Sequence, residues 1–341
     1  MLSNFNKTWR SFHLIKMLVH IGFIPVSEDI NGYLKFKLVS WKTVMAYMVF
    51  CIIPLVMLIY AQTQISEQSS GHQLTIMEEM AKHIHTIQNI GMSLLYPILT
   101  GKLVDKSQIT LKVNKLYKKM WLLMYIIMMA VVIAIHLNNA IVRFNSIMLP
   151  IAFLFFYTLN MMGIIVAMLV ICFVCSPIIE EGIHLEVSDS EIQDMIEKSI
   201  LLMEKTRNIK KGFSPLLFSI LPFMIVFVLY FTFIGIKSVS GGRYHFLAPD
   251  VLSVLGMLLL IYYIISFCDE THQALAAYSH KLSLMALKCA EWEISRLQIV
   301  INMLDKEAPF DALGFFYVEK TTFMTIISSS IAYLVIMLQF N

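Results

Sequence analysis

The chain has 341 residues, 58% of them hydrophobic and only 14% charged, with 26 Lys and Arg against 23 Asp and Glu for a formal charge of +3. A soluble domain carries about 25% charged residues, so this chain lacks the polar surface to cover a soluble core of its size, and the mean hydropathy of +0.73 points to lipid as its solvent. An ordinary cytosolic enzyme and a disordered chain are excluded, and the small net charge gives no basis for nucleic-acid binding.

Residues 1–41 hold Lys7, Arg10, Lys16, Lys35 and Lys37 but no isolated apolar core with a cleavage site. They read as a cytoplasmic N-terminal segment and not as a signal peptide. A bilayer core of about 30 Å needs about 20 apolar residues in a helix. Seven stretches qualify. The first is Lys42–Gln62. The second, Ile84–Thr100, is weaker and contains Gln88, Asn89, Tyr96 and Pro97. Met120–Leu137 and the long Ile147–Cys175 follow, then Leu216–Ile236, Val251–Cys268 and Thr321–Phe340.

Two of the connecting segments have helical periodicity. In Asp189–Lys211 the apolar Ile192, Ile196, Ile200 and Met203 recur among charges, behind a capping box formed by Ser188 and Glu191. This stretch reads as the fourth helix continuing inward and returning toward the fifth. Asp269–Met303 is amphipathic and too polar to cross lipid. It is either a surface helix lying on the membrane or an inner helix that packs against copies of itself. Asp269, Glu270 and His272 are expected to cap the sixth span and to orient that helix.

Lys and Arg fix the orientation. With the N-terminus inside, 22 of the 26 basic residues fall on the cytoplasmic side and only Lys82, Arg143, Lys237 and Arg243 on the other. The expectation is an all-α membrane protein of seven transmembrane helices, with the N-terminus cytoplasmic, the C-terminus extracellular and an intracellular helical anchor region. Its divisions are 1–41, the cytoplasmic segment; 42–268, a six-helix bundle with long inner loops; 269–310, the anchor helix; and 311–341, the final span. This topology is the reverse of a G-protein-coupled receptor, and neither an Asp-Arg-Tyr nor an Asn-Pro-x-x-Tyr triplet closes the relevant spans. A secondary transporter is a further alternative, but no internal repeat is present. A metabotropic receptor of inverted topology is another.

No constellation for catalysis appears, neither His-Glu-x-x-His nor Gly-x-Ser-x-Gly. Cys172-x-x-Cys175 has redox spacing but sits in an apolar helix without a partner pair, so membrane packing is the favoured reading. His83, His85 and His136 have no carboxylate or Cys beside them, so no metal site and no cofactor is expected.

The final span is rich in small polar residues: Thr321, Thr322, Thr325, Ser328, Ser329, Ser330, Tyr333 and Gln339. Small hydroxyl residues allow close helix approach, and an amide is costly to present to lipid. Positions three and four apart share a face, so Gln339 aligns with Ile336, Val335, Ala332, Ser329 and Ser328. Such a stripe suits a narrow pore repeated about an axis. The alternative is a helix packed within its own bundle, its Gln satisfied by a neighbouring span.

The closing residues Ala332–Phe340, "AYLVIMLQF", resemble the Thr-Tyr-(five hydrophobics)-Gln-Phe signature of insect gustatory receptors. Tyr333, Gln339 and Phe340 match; Ala332 stands where the family has Thr. Upstream, Phe310, Ala312, Gly314, Phe315 and Phe316 resemble the family's run before the last span. The specific part covers about thirty C-terminal residues, although the seven-span layout is also similar. The resemblance implies a ligand-gated, non-selective cation channel of four subunits, a homo- or hetero-tetramer with related receptors, in the plasma membrane of chemosensory neurons. Its partners would be a small tastant, permeating cations and the lipid bilayer. It implies that the last span lines the pore, with Ile336, Gln339, Phe340 and Ala332 facing or flanking it, an apolar ring gating by dewetting, and a ligand pocket within each subunit's bundle. Polar and aromatic residues in the outer halves of the first six spans are the pocket candidates: Tyr60, His85, Gln88, His136, Tyr157, Asn160 and Tyr230. Each also has a reading as an interfacial ring or an interhelical hydrogen bond. The scarcity of polar groups there favours apolar or bitter ligands over sugars.

Overall fold

The computed structural model describes residues 17–30, 33–57, 59–60, 90–91, 94–106, 126–127, 130, 134, 163, 166–167, 169–180, 192–240, 247–287 and 291–339. Among the described residues the architecture is all-α apart from one short hairpin and one isolated bridge.

The hairpin pairs β1 (Val26–Glu28) with β2 (Leu34–Phe36) in antiparallel register, Val26 opposite Phe36. Val26 and Leu34 are buried beneath it. Ser40, in extended conformation, then caps α1 (Trp41–Tyr47) by accepting the Thr43 N–H at 3.2 Å. A π-turn over Met48–Ile52 follows, just ahead of Pro54, which has no N–H to give the helical ladder. The apolar helix continues to Met57. Helix α2, residues 94–106, packs on the hairpin: the Asp105 carboxylate accepts the Phe36 N–H at 3.3 Å. Edge-to-face contacts link Phe23 to Phe50 and Phe50 to Tyr96 at 5.4 and 5.3 Å. Helix α3 (Leu169–Glu180) is apolar on every side and buried from Leu169 through Ser176, as a helix enclosed by others must be.

Two long helices dominate the rest. Helix α4 (Ile192–Ser240) has 49 residues and α5 (Leu247–Ala286) has 40. At 1.5 Å per residue they extend roughly 70 and 60 Å, about twice a bilayer core. Each contains a stretch long and apolar enough to cross a membrane, lying within Ile192–Phe233 in α4 and within Val251–Ala286 in α5. Helices α6 (Glu291–Asp305) and α7 (Lys320–Gln339) complete the described chain.

The long helices reorganise two of the sequence expectations. Asp189–Lys211 does not return toward a separate fifth helix: from Ile192 it is continuous with the helix that holds the fifth span, and α4 runs unbroken through Pro215 and Pro222. The stretch expected to hold the Ser188 cap lies outside the described residues. Likewise Asp269, Glu270 and His272 do not cap the sixth span, because α5 passes straight through them to Ala286. The polar stretch after Cys268 is therefore two helices, the end of α5 and α6. They lie against each other, with Leu282, Leu297, Val300, Ile301 and Leu304 buried and Ser279 donating to the Asp305 carboxylate at 2.5 Å.

Candidate conduction helix and its anchorage

The family-like residues before α7 form a tight hairpin. The Val318 N–H reaches the Phe310 carbonyl at 2.7 Å, Ala312 N–H the Phe316 carbonyl at 3.0 Å, and Phe315 N–H the Ala312 carbonyl at 3.0 Å. The two central residues of that turn have positive φ, Leu313 at 53° and Gly314 at 77°, the backbone sign of a type I′ turn. Glycine adopts this conformation at no steric cost, which gives Gly314 a physical role in the motif.

Each neighbouring motif residue has its own seat. Phe310 and Ala312 are fully buried, Phe310 edge-on to Phe213 of α4 at 5.6 Å. Phe316 packs against the core. Phe315 is 74% exposed but stacks on Phe218 of α4 at 5.1 Å. The Leu313 N–H is accepted by Ser214 of α4 at 2.6 Å. The motif is thus a clamp that fixes where α7 begins.

Charges reinforce the clamp. Glu307 receives Arg207 at 2.9 Å and Lys210 at 3.1 Å. Lys210 also donates to the Ala308 carbonyl and lies 5.7 Å over the Phe310 ring. Burial lowers the Lys210 pKa, with Glu307 opposing. At the foot of α7, Lys320 pairs with Asp269 of α5 at 3.0 Å. Its pKa is raised by that hydrogen bond. The Glu307 pairs join residues about a hundred positions apart and the Lys320–Asp269 pair about fifty. Sequence periodicity carries no sign of them.

Helix α7 itself is covered on one side only. Ser330 is buried, and Phe323, Ile326, Ile327 and Leu334 are partly buried. Phe323 meets Tyr262 of α5 edge-on at 5.4 Å. Every member of the sequence-derived stripe is exposed: Ser328, Ser329, Ala332, Val335, Ile336 and Gln339. Tyr333 is exposed too, at 60%. With 100° per residue, the exposed positions span roughly 200° of arc, centred opposite Ser330. Phe340 lies outside the described residues.

The ligand-pocket candidates fare differently. His85, Gln88, His136, Tyr157 and Asn160 lie outside the described residues. Tyr60 is exposed. Tyr230 is half-buried on α4, edge-on to Phe231 at 5.3 Å. An apolar crevice among Val19, Ile24, Leu34, Val104 and Phe173 has no room for a water molecule and reads as packing. Among the described residues no group of His, Cys, Asp and Glu is arranged to hold a metal ion. Cys51, Cys172, Cys175 and Cys268 are buried, and none of them is joined in a disulfide among the described residues.

No protein-family model matches the sequence, and no curated protein matches it either. Among solved structures the chain is similar to the insect olfactory receptor OR5 from Machilis hrabei. The TM-score is 0.63 at 13% identity, over 97% of this chain and 100% of that one. The same receptor in complex with eugenol gives a TM-score of 0.65, with the same identity and coverage. This chain therefore shares the fold of that receptor over nearly its whole length.

Proposed function

We propose that this protein is a subunit of a chemosensory, ligand-gated cation channel whose conduction path is lined by α7. The observation that carries the reading is the exposed stripe of α7. A helix whose buried side already packs on α4 and α5 still presents Ser328, Ser329 and Gln339 outward. Lipid is an expensive neighbour for those groups, whereas a water-filled lumen satisfies them. The fold likeness supports a receptor role, and the eugenol complex of the similar receptor makes a small, mostly apolar ligand a reasonable first probe.

The finer reading is a gustatory receptor, a tetramer of identical or related subunits in the plasma membrane of chemosensory neurons. The match of Tyr333 and Gln339 to the gustatory closing signature favours taste over smell. Ile336 and neighbouring apolar side chains form the hydrophobic constriction, and Gln339 a polar ring for hydrated cations. Tyr230 and the remaining pocket candidates stand as contacts for the ligand.

The test is current recording from a cell line expressing the chain, during application of eugenol and a panel of bitter compounds. An agonist-evoked, non-selective cation current is expected. Ile336→Lys and Gln339→Arg should reduce conductance at least several-fold or shift selectivity toward anions. If both variants conduct as the parent does, α7 does not line the path. Uptake of a radiolabelled compound without current would mark a transporter instead.

A further inference from the structure

The point where α5 meets the foot of α7 contains a titratable group that the channel reading leaves unused. His272 lies on α5 one turn after Asp269, on the same face. Its Nδ1 is buried and has no hydrogen-bond partner. Four charged groups act on the ring electrostatically: Lys210 from α4, Asp269 from α5 itself, Glu307 from the segment after α6, and Glu319 from the residue before α7. Asp269 is already engaged, with Lys320 at 3.0 Å and Gln273 at 2.7 Å on the same oxygen. That Lys320 contact is an ion pair tying α7 to α5.

A proton arriving on His272 creates a cation within this ring of charges. Lys210 repels it, and partial burial penalises it. The acceptor available on its own helix is Asp269, which it takes only in competition with Lys320. We propose that His272 is a proton-operated catch at the base of α7: neutral, it leaves Asp269 to hold Lys320, and protonated, it draws Asp269 to itself and releases the foot of the helix. The proposal stands on the ion-pair geometry and is independent of the channel reading. It adds that mild acid on this face of the membrane loosens α7.

The direction of the pH effect follows from linkage. Burial and Lys210 hold the His272 pKa below its ordinary 6.5, with Glu319, Asp269 and Glu307 opposing. The unfolded chain then binds the proton more readily than the native protein. Stability is full above about pH 6.5 and falls as pH drops through that value, until the native His272 is protonated too.

The experiment is apparent melting temperature of the purified full chain in detergent between pH 7.5 and 5.5. The parent should lose about 2–4 °C across that step. H272N, and H272Q if H272N expresses poorly, should lose most of the step. K320Q should melt lower at pH 7.5 and show a smaller step, because Asp269 is then free to meet the proton. Absence of a step in the parent, or a full parental step in the His272 variants, overturns the proton site. A full step in K320Q overturns the exchange with α7. None of these readouts depends on current, so failure of the channel reading and failure of this one are separable.

Discussion

Leu313 and Gly314 sit side by side with positive φ, yet only one of them is a glycine. A left-handed conformation costs a residue with a Cβ about 1–2 kcal/mol. Nothing lies within 4 Å of where a Cβ on Gly314 would stand. Gly314→Ala should therefore lose about 1–2 kcal/mol for backbone reasons alone, read as a lower apparent melting temperature. Leu313→Gly relieves the same strain and frees the unfolded chain by a similar amount, so it should be near neutral. If the two substitutions cost the same, side-chain packing and not backbone geometry decides this turn. The identity of these motif residues is plain in the sequence, but the reason for them is not. A positive φ is a property of a closed turn, and only the paired carbonyls of Phe310, Ala312 and Phe316 reveal that the turn closes.

Helix boundaries show what hydropathy reads and what it omits. The sixth span ends at Cys268 in the sequence because the solvent changes there, from apolar to charged neighbours. The backbone has no reason to stop: no proline or glycine stands between Cys268 and Ala286, so α5 continues and carries Asp269 and His272 to the base of α7. The fifth span extends too, back from Leu216 to Ile192, and does so through Gly212 and Pro215. The positions of the fifth, sixth and last spans were thus legible, whereas the two-helix packing below them was hidden, because it depends on contacts between distant segments. Glu307 is one such contact. Its carboxylate and Lys210 are both nearly buried, at 9% and 12% exposure, whereas Arg207 is 48% exposed. Glu307→Gln should cost about 1.5–3 kcal/mol, as the loss of a hydrogen bond to a charged group. Arg207→Gln should cost no more than about 1 kcal/mol, as a solvated pair does. Equal losses in parallel thermal melts would show that exposure does not set the strength of this junction.

On the scale of the whole molecule, α7 leaves roughly 200° of its circumference uncovered by its own chain, and apolar groups elsewhere are equally unpartnered. Leu287, just past the end of α5, and Ile299, on α6, are exposed at 82% and 62%. A single copy in a bilayer would present Ser328, Ser329 and Gln339 to lipid on one helix and large aliphatic groups to water beneath it. Both mismatches are removed together if copies assemble with α7 toward a common axis and the lower helices in contact. Particle images of the purified protein should accordingly show a symmetric oligomer, with fourfold symmetry in the tetramer reading. A substitution separates lumen from lipid. Replacing Ser328 and Ser329 by Leu removes two small hydroxyl side chains and adds bulk to the exposed stripe. Facing lipid, the change is favourable or neutral for stability, and any evoked current survives. Facing a narrow lumen, it obstructs the path and dries it, so the oligomer forms and melts normally while current falls at least tenfold. Normal current in a normally assembled double variant would return α7 to the role of a lipid-facing strut and leave the conduction path to be sought among the other spans.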